Sequence, residues 1–397
     1  MIPHFGFGLE FGAETIDTNN YNTIRFQPDF SIGKFGIGLD INFEFDANGN
    51  FRISEWNTWQ AVISKILYIR YGQKGEPVYA KIGGINDFTL GNGFIVNRYS
   101  NMLNYPDIKK LGIAFDLDFT KFGFQTMVNN IFLFDILGIR LFYRPLNGMD
   151  FPIISNLEIG ATVSADLDSQ NPAPPSDKPY DFKYAGSGSN TIVYGVDLGL
   201  PVLNNPAITM RTYLDYASII GKGSGEALGL GGKIVTIVPY QLEARLFQPK
   251  FVPNYFDLYY DSVRAVKYNS LDSISNSYAG WLFGSGLSLF EDKLYFLFKI
   301  ENTFSTDTLP ELTFTLGLSK DLLKRLGIQI VWTRKNIASI GDILSVDSVN
   351  SVLFVNMDYY VTDNLAVSIN YKRSFEMDSS GQIQPYMSTS VSTKINF

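Results

Sequence analysis

A chain of 397 residues with a formal charge of −7 offers no basic face for nucleic acid. It holds no cysteine, which excludes disulfides, thiolate metal sites and cysteine nucleophiles together. Charged residues make up only 18% while aromatics reach 15%, a balance that would wet a soluble surface poorly. Mean hydropathy is nevertheless only +0.02. No stretch approaches the roughly 20 mostly apolar residues of a transmembrane helix. The best candidate, Ile131 to Tyr143, is short and is cut by Asp135 and Arg140. Apolar side chains must therefore be interleaved with polar ones.

Met1-Ile2-Pro3-His4 lacks the basic start and apolar core of a secretory leader, which predicts a mature chain whose precursor carried one. The first predicted strand, Phe5, Phe7, Leu9, Phe11, follows almost at once, so no plug segment is expected before it. From Phe35 the odd positions read Phe35, Ile37, Leu39, Ile41, Phe43, Phe45, against Gly36, Gly38, Asp40, Asn42, Glu44. A period of two with one greasy and one polar face is strand geometry between two different solvents. The pattern returns at Leu111–Phe119, Leu157–Val163, Ile192–Leu200, Leu294–Ile300, Leu312–Leu318 and Leu365–Tyr371. Strands of about 9–12 residues cross a bilayer when tilted. A soluble sandwich alternates too, but over about 5–6 residues around one shared core.

Short connections are expected at Ile32–Lys34, Gly72–Pro77, Thr120–Lys121, Leu146–Phe151, Pro201–Pro206, Val238–Pro239, Glu291–Lys293, Lys320–Arg325 and Thr362–Asn364. Between them fall longer stretches at 12–21, 46–63, 84–110, 166–190, 249–277, 335–350 and 374–384. In the 46–63 stretch, Ser54 is placed to start a short helix through Ala61. The Pro-rich run 171–179 reads as an extended, solvated outer loop. The predicted fold is all-β: one domain, 1–397, an antiparallel up-and-down transmembrane barrel of about 18 strands, within 16–20. Two connections, around 131–136 and 219–227, decide the number.

The last strand sets Met387, Thr389, Val391, Thr393, Ile395, Phe397 on one face and Ser388, Ser390, Ser392, Lys394, Asn396 on the other. An amphipathic final strand ending on an aromatic resembles the assembly signal of bacterial outer-membrane proteins, with Phe397 as the residue read by the barrel-assembly machinery. Together with the alternation, the whole chain resembles the porin-like class of outer-membrane barrels. That resemblance implies short periplasmic turns, long extracellular loops including 166–190 and 249–277, periplasmic termini, membrane lipid around the wall, and allows a homo-oligomer. TonB-dependent receptors, with a plug and about 22 strands, need a longer chain.

If apolar positions face lipid, the lumen receives Asp40, Glu44, Asp116, Asp118, Glu158, Asp197 and Arg211 from the first half. From the second half it receives Asp215, Glu243, Arg245, Lys299, Glu301, Asp358 and Lys372. Such charges would cost roughly 2–4 kcal/mol each facing hydrocarbon at mid-depth, so they imply water or a polar plug inside. Acids outnumber bases, which predicts a mild preference for cations. The segment 84–110 is too apolar for a loop in water, with Phe94, Ile95, Val96, Met102 and Leu103 together. It is a candidate to fold into the lumen, with Arg98, Tyr99, Asn101, Asp107, Lys109 and Lys110 lining a constriction; a loop over the mouth or a further wall strand competes equally. Gly91-x-Gly93 is no phosphate loop, since nothing helical follows. Tyr255, Phe256, Tyr259 and Tyr260 suit sugar stacking, but an interfacial belt or plain loop packing is the commoner use.

Enzyme chemistry finds little footing. Barrel hydrolases use a His as general base, and the one His, His4, opens the first strand. The carboxylate pairs Asp40/Glu44 and Asp116/Asp118 read as wall residues of a hydrated pore. No catalytic residue, metal site or cofactor is expected. The expected function is diffusion or selective uptake of small hydrophilic solutes. A closed structural or adhesive barrel and a barrel enzyme are the alternatives.

Overall fold

The interleaving of greasy and polar positions closes into a cylinder. The computed structural model describes residues 4–16, 19–103, 105, 108–150, 153–171, 174, 179–184, 186, 188–304, 309–344, 351–362, 365–377 and 383–396. The strands of the first half are β1 (His4–Ile16), β2 (Asn19–Ile32), β3 (Phe35–Leu39), β4 (Ile41–Asp46), β5 (Ile66–Tyr71), β6 (Val78–Gly83), β7 (Gly112–Asp118), β8 (Phe122–Val128), β9 (Ile136–Tyr143) and β10 (Glu158–Asp166). Those of the second half are β11 (Thr191–Asn204), β12 (Ile208–Ile219), β13 (Ser224–Ile234), β14 (Val238–Phe247), β15 (Tyr278–Leu289), β16 (Leu294–Thr303), β17 (Glu311–Leu318), β18 (Leu326–Arg334), β19 (Ser351–Tyr360), β20 (Leu365–Met377) and β21 (Ile383–Asn396). β3 and β4 both pair with β2 and are the two halves of one wall strand parted at Asp40, so the wall has 20 strands.

Pairing is antiparallel throughout, and β1 lies between β2 and β21, with Gly8 opposite Asn396 and Ile16 opposite Ser388. Closure removes every sheet edge, which a membrane requires because hydrocarbon offers no partner to free backbone groups. The count sits above the central expectation of 18. Both connections that decided it are hairpin ends, joining β8 to β9 and β12 to β13.

Several expected connections shift. Residues 12–21 are mostly strand, since β1 runs to Ile16 and β2 starts at Asn19. β20 and β21 likewise consume the ends of 374–384. β11 continues through Pro201 to Asn204 across an irregularity in register. The turn expected at Val238–Pro239 lies at 235–237, where Val235 and Thr236 both take positive φ (48° and 61°). Hairpins usually place Gly, Asn or Asp in such positions, so nothing in the sequence marks it. The helix expected from Ser54 starts later: α1 (Trp59–Ile63) is capped by Thr58, whose side chain accepts from the Ala61 N–H.

The outer surface is apolar: Val196, Leu228 and Leu246 are 55%, 57% and 61% exposed, whereas Asp197, between Val196 and Leu198, is 5% exposed. Among the described residues no helix is long and apolar enough to cross a membrane; the strands cross it. The hydrophobic core lies inside the cylinder, where Phe88, Phe94, Val96, Tyr99, Phe256 and Tyr260 pack against Met127, Val193, Ala217 and Phe247 of the wall.

Candidate functional site

Two long loops build this internal core. The segment between β6 and β7 enters the lumen as a hairpin, with Phe88 and Tyr99 exchanging backbone hydrogen bonds of 3.0 and 2.9 Å. The segment between β14 and β15 adds a parallel rung: the Phe256 N–H donates to Ile95 O and the Asn97 N–H to Phe256 O, both at 3.0 Å. Buried backbone groups that would otherwise be stranded are satisfied this way. At the hairpin tip Gly91 and Gly93 take φ of 57° and 89°, and Asn92 reaches the middle of β12, donating to Asp215 at 3.1 Å and accepting from Arg211. The second loop also carries α2 (Tyr260–Ser270), which crosses the lumen to pack against β20.

Buried charge networks fasten these loops to the wall. Arg264 of α2 donates to Asp135 at 2.6 Å and to Asp166, which also accepts from Tyr260. Burial pushes the Asp135 carboxyl upward, but Arg264 and Lys110 outweigh it and hold it below the ordinary range. Lys110 and Tyr99 both bond Asp261, at 2.6 and 2.8 Å. On the far side Lys109 bridges Asp40 and Asn42, each at 2.9 Å, and Tyr105 donates to Asp40. Lys65 joins Asn42 to Glu55, both at 2.7 Å, and Arg52 pairs with Glu44 at 2.8 Å.

Beside the loops lies a side chamber of about 550 Å³ along the inner faces of β14 to β18. Its lining runs from Pro239 and Tyr240, near the short-turn end, up to Thr303, Leu309 and Lys335 at the long-loop end. The wall contributes Glu243, Arg245, Lys299, Glu301 and Glu311, with hydroxyls from Thr313 and Thr315; the loops contribute Arg98, Asp257 and Lys267. Opposite charges sit in contact: Arg245 spans Glu243 at 2.7 Å and Glu301 at 2.5 Å, Lys299 meets Glu301 at 3.0 Å, and Lys267 meets Asp257 at 2.7 Å. Burial raises the Asp257 carboxyl less than Lys267 and Lys335 lower it, so it stays ionised.

A closed, edgeless cylinder with an apolar outside and a charged, hydrogen-bonded inside has one habitat. The chain is a closed antiparallel β-barrel of 20 wall strands with the surface of one that spans a membrane. Neither a family model nor a curated protein matches its sequence. Among solved structures, OccK11 (OpdR) of Pseudomonas aeruginosa aligns over 100% of this chain and 95% of its own, at 9% identity and TM-score 0.38. The outer membrane protein OpdK of the same organism aligns over 100% and 99%, at 10% identity and TM-score 0.37. Its siderophore receptor PirA aligns over 99% and 80%, at 9% identity and TM-score 0.38. Likeness at this level carries no residue-level or functional correspondence.

The expected constriction is not where the sequence placed it. Tyr99, Asn101, Lys109 and Lys110 are turned into contacts that fix the loop rather than toward water: Asn101 accepts from the Ile85 N–H at 2.7 Å and donates to Asn129 O at 2.6 Å. Of the six, Arg98 faces the chamber, and Asp107 lies outside the described residues. Phe397 lies outside them as well. Tyr255, Phe256, Tyr259 and Tyr260 pack inside the barrel and form no interfacial belt.

Of the charged lumen candidates, Asp40, Glu44, Asp116, Asp197, Asp215, Glu243, Arg245 and Lys372 are buried. Glu158, Lys299, Glu301 and Asp358 are partly exposed, and Asp118 and Arg211 are the most open, at 41% and 37% of the side chain. The acid excess among them is offset by bases that the alternation did not single out. Arg140 holds Asp197 and Glu158 (2.6 and 2.9 Å), Arg144 holds Asp118 and Glu158 (2.7 and 2.9 Å), and Arg25 and Lys109 hold Asp40. The mild cation preference therefore loses its basis: the chamber is lined by five bases, Arg98, Arg245, Lys267, Lys299 and Lys335, against four acids, Glu243, Asp257, Glu301 and Glu311.

Proposed function

We propose that this barrel is a selective channel for small hydrophilic solutes, with the side chamber as its conduit. The observation that supports this reading is the row of charged and hydroxyl side chains, Glu243, Arg245, Lys299, Glu301, Glu311, Thr313 and Thr315, that β14, β16 and β17 turn into the chamber beside the internal core. A water-filled general porin leaves its centre open; here hydrophobic packing and buried ion pairs occupy the centre, which favours a narrow, selective path. The short turns and both termini face the periplasm in this proposal, and the long loops face outward, as such barrels are arranged. The protein performs no covalent chemistry in it; the wall supplies shape, hydrogen bonds and paired charges.

Refolded protein in a planar bilayer under a salt gradient tests the reading. Small, discrete conductance steps with a reversal potential near zero are expected, because the chamber's charges nearly cancel. Silence from protein shown to be folded by heat-modifiable gel migration would overturn it, and so would steps as large as those of an open, wide barrel.

A further inference from the structure

The chamber's ion pairs differ in how accessible they are. Lys335 and Glu311, at the long-loop end, stand 3.6 Å apart with 40% and 28% of their side chains exposed. On the neighbouring strand, with Glu301 opposite Glu311 in register, Lys299 and Glu301 stand 3.0 Å apart and are 27% and 16% exposed. Arg245, on β14, is 4% exposed and locked between two carboxylates. A solute entering from the long-loop end meets Lys335 and Glu311 as the most open and most loosely held of these groups.

Each kind of solute fares differently against such pairs. A lone anion that takes Lys335 strands Glu311, and a lone cation that takes Glu311 strands Lys335; an uncompensated charge in a confined site is unfavourable. A neutral solute can insert only by separating the two charges in exchange for weaker neutral contacts. A solute carrying one charge of each sign replaces both partners at once: its carboxylate takes the lysine and its ammonium takes the glutamate. The exchange can then repeat at Lys299 and Glu301. Resting on the channel reading, we propose that the chamber selects small zwitterionic solutes, of which free α-amino acids are the simplest, with Lys335 and Glu311 as the residues that admit them.

Uptake into proteoliposomes of four probes of one size and shape tests this: L-serine, and its analogues glycerate, serinamide and glyceramide, which lack the ammonium, the carboxylate charge or both. Serine is expected to enter at least five-fold faster than each analogue. Lys335→Gln and Glu311→Gln should each abolish that preference, and the exchanged pair Lys335→Glu with Glu311→Lys should restore most of it. Equal rates for all four probes, or a faster charged analogue, would overturn the proposal while leaving the channel standing. A serine preference untouched by both single variants would overturn the assignment to this pair. No entry of any probe through folded barrels would remove the channel reading and this inference with it.

Discussion

Arg264 lies 2.6 Å from Asp135, although 129 residues separate them in the chain. The first sits on the helix that crosses the lumen, the second at the end of the hairpin joining β8 to β9. This bond, together with Arg264 on Asp166, pins the lumen-crossing helix to the wall opposite the chamber.

Removing one side of that clamp strips buried Asp166 of its ion-pair partner and leaves Asp135 with the more distant Lys110, a loss of about 3–5 kcal/mol for a buried pair. The wall strands do not depend on it, so Arg264→Ala should still give a heat-modifiable barrel. Its helix should come loose, and single-channel recordings should show larger, noisier steps than the parent. Recordings indistinguishable from the parent would mean that the helix is held by packing alone.

The Asp135 half of that clamp sets a pH dependence. Asp135 titrates below its ordinary range, so its contribution is complete above the ordinary carboxylate value of about 4 and is lost only as pH falls through the lower, folded value. In an Asp166→Asn background, where Asp135 is the carboxylate left on Arg264, conductance should therefore hold steady from pH 7.5 to 5 and become larger and noisier only below about pH 4. A change centred near pH 6 would contradict this assignment.

The hairpin tip depends on Gly91. Its φ is +57°, and a Cβ there would stand 2.9 Å from Arg140 Nε. Gly91→Val combines that clash with a backbone conformation costing a β-branched residue about 1–3 kcal/mol. Limited proteolysis of refolded barrels should cut the variant within 84–111 while the parent stays intact there. Equal protection in both would show that the tip tolerates displacement.

The lipid face makes its own demand. Leu228, 57% exposed on β13, becomes a charge in hydrocarbon in Leu228→Arg, at about 2–4 kcal/mol near mid-depth. The folded fraction after refolding into lipid, read by gel shift across a urea series, should fall accordingly. An unchanged midpoint would place Leu228 outside the hydrocarbon.

The wall was legible in the sequence because its signal is local. Phe35, Ile37 and Ile41 against Gly36, Gly38 and Asp40 report two solvents within a few residues. The hairpin at Val235 and Thr236 was not, since its positive φ values carry no Gly, Asn or Asp. The apolarity of Phe94, Ile95 and Val96 marked 84–110 as unusual, but the fate of each side chain there was hidden. Tyr99 is spent on Asp261 and Lys109 on Asp40, partners 162 and about 70 residues away in the chain, and alternation along one strand says nothing about them. The chamber escaped notice for a related reason: Glu311 opens β17 and Lys335 follows β18, and the register of that hairpin, with Leu312 opposite Arg334, sets them side by side.

The most direct test uses the absence of cysteine. Thr313→Cys places one thiol on the chamber lining, and Val196→Cys places one on the lipid face as a control. Single-channel current is measured before and after a bulky thiol reagent is added. If the side chamber is the conduit, modification at 313 should reduce the current by more than half and modification at 196 should leave it unchanged. Undiminished current through a modified 313 barrel would show that ions pass elsewhere and would contradict the account.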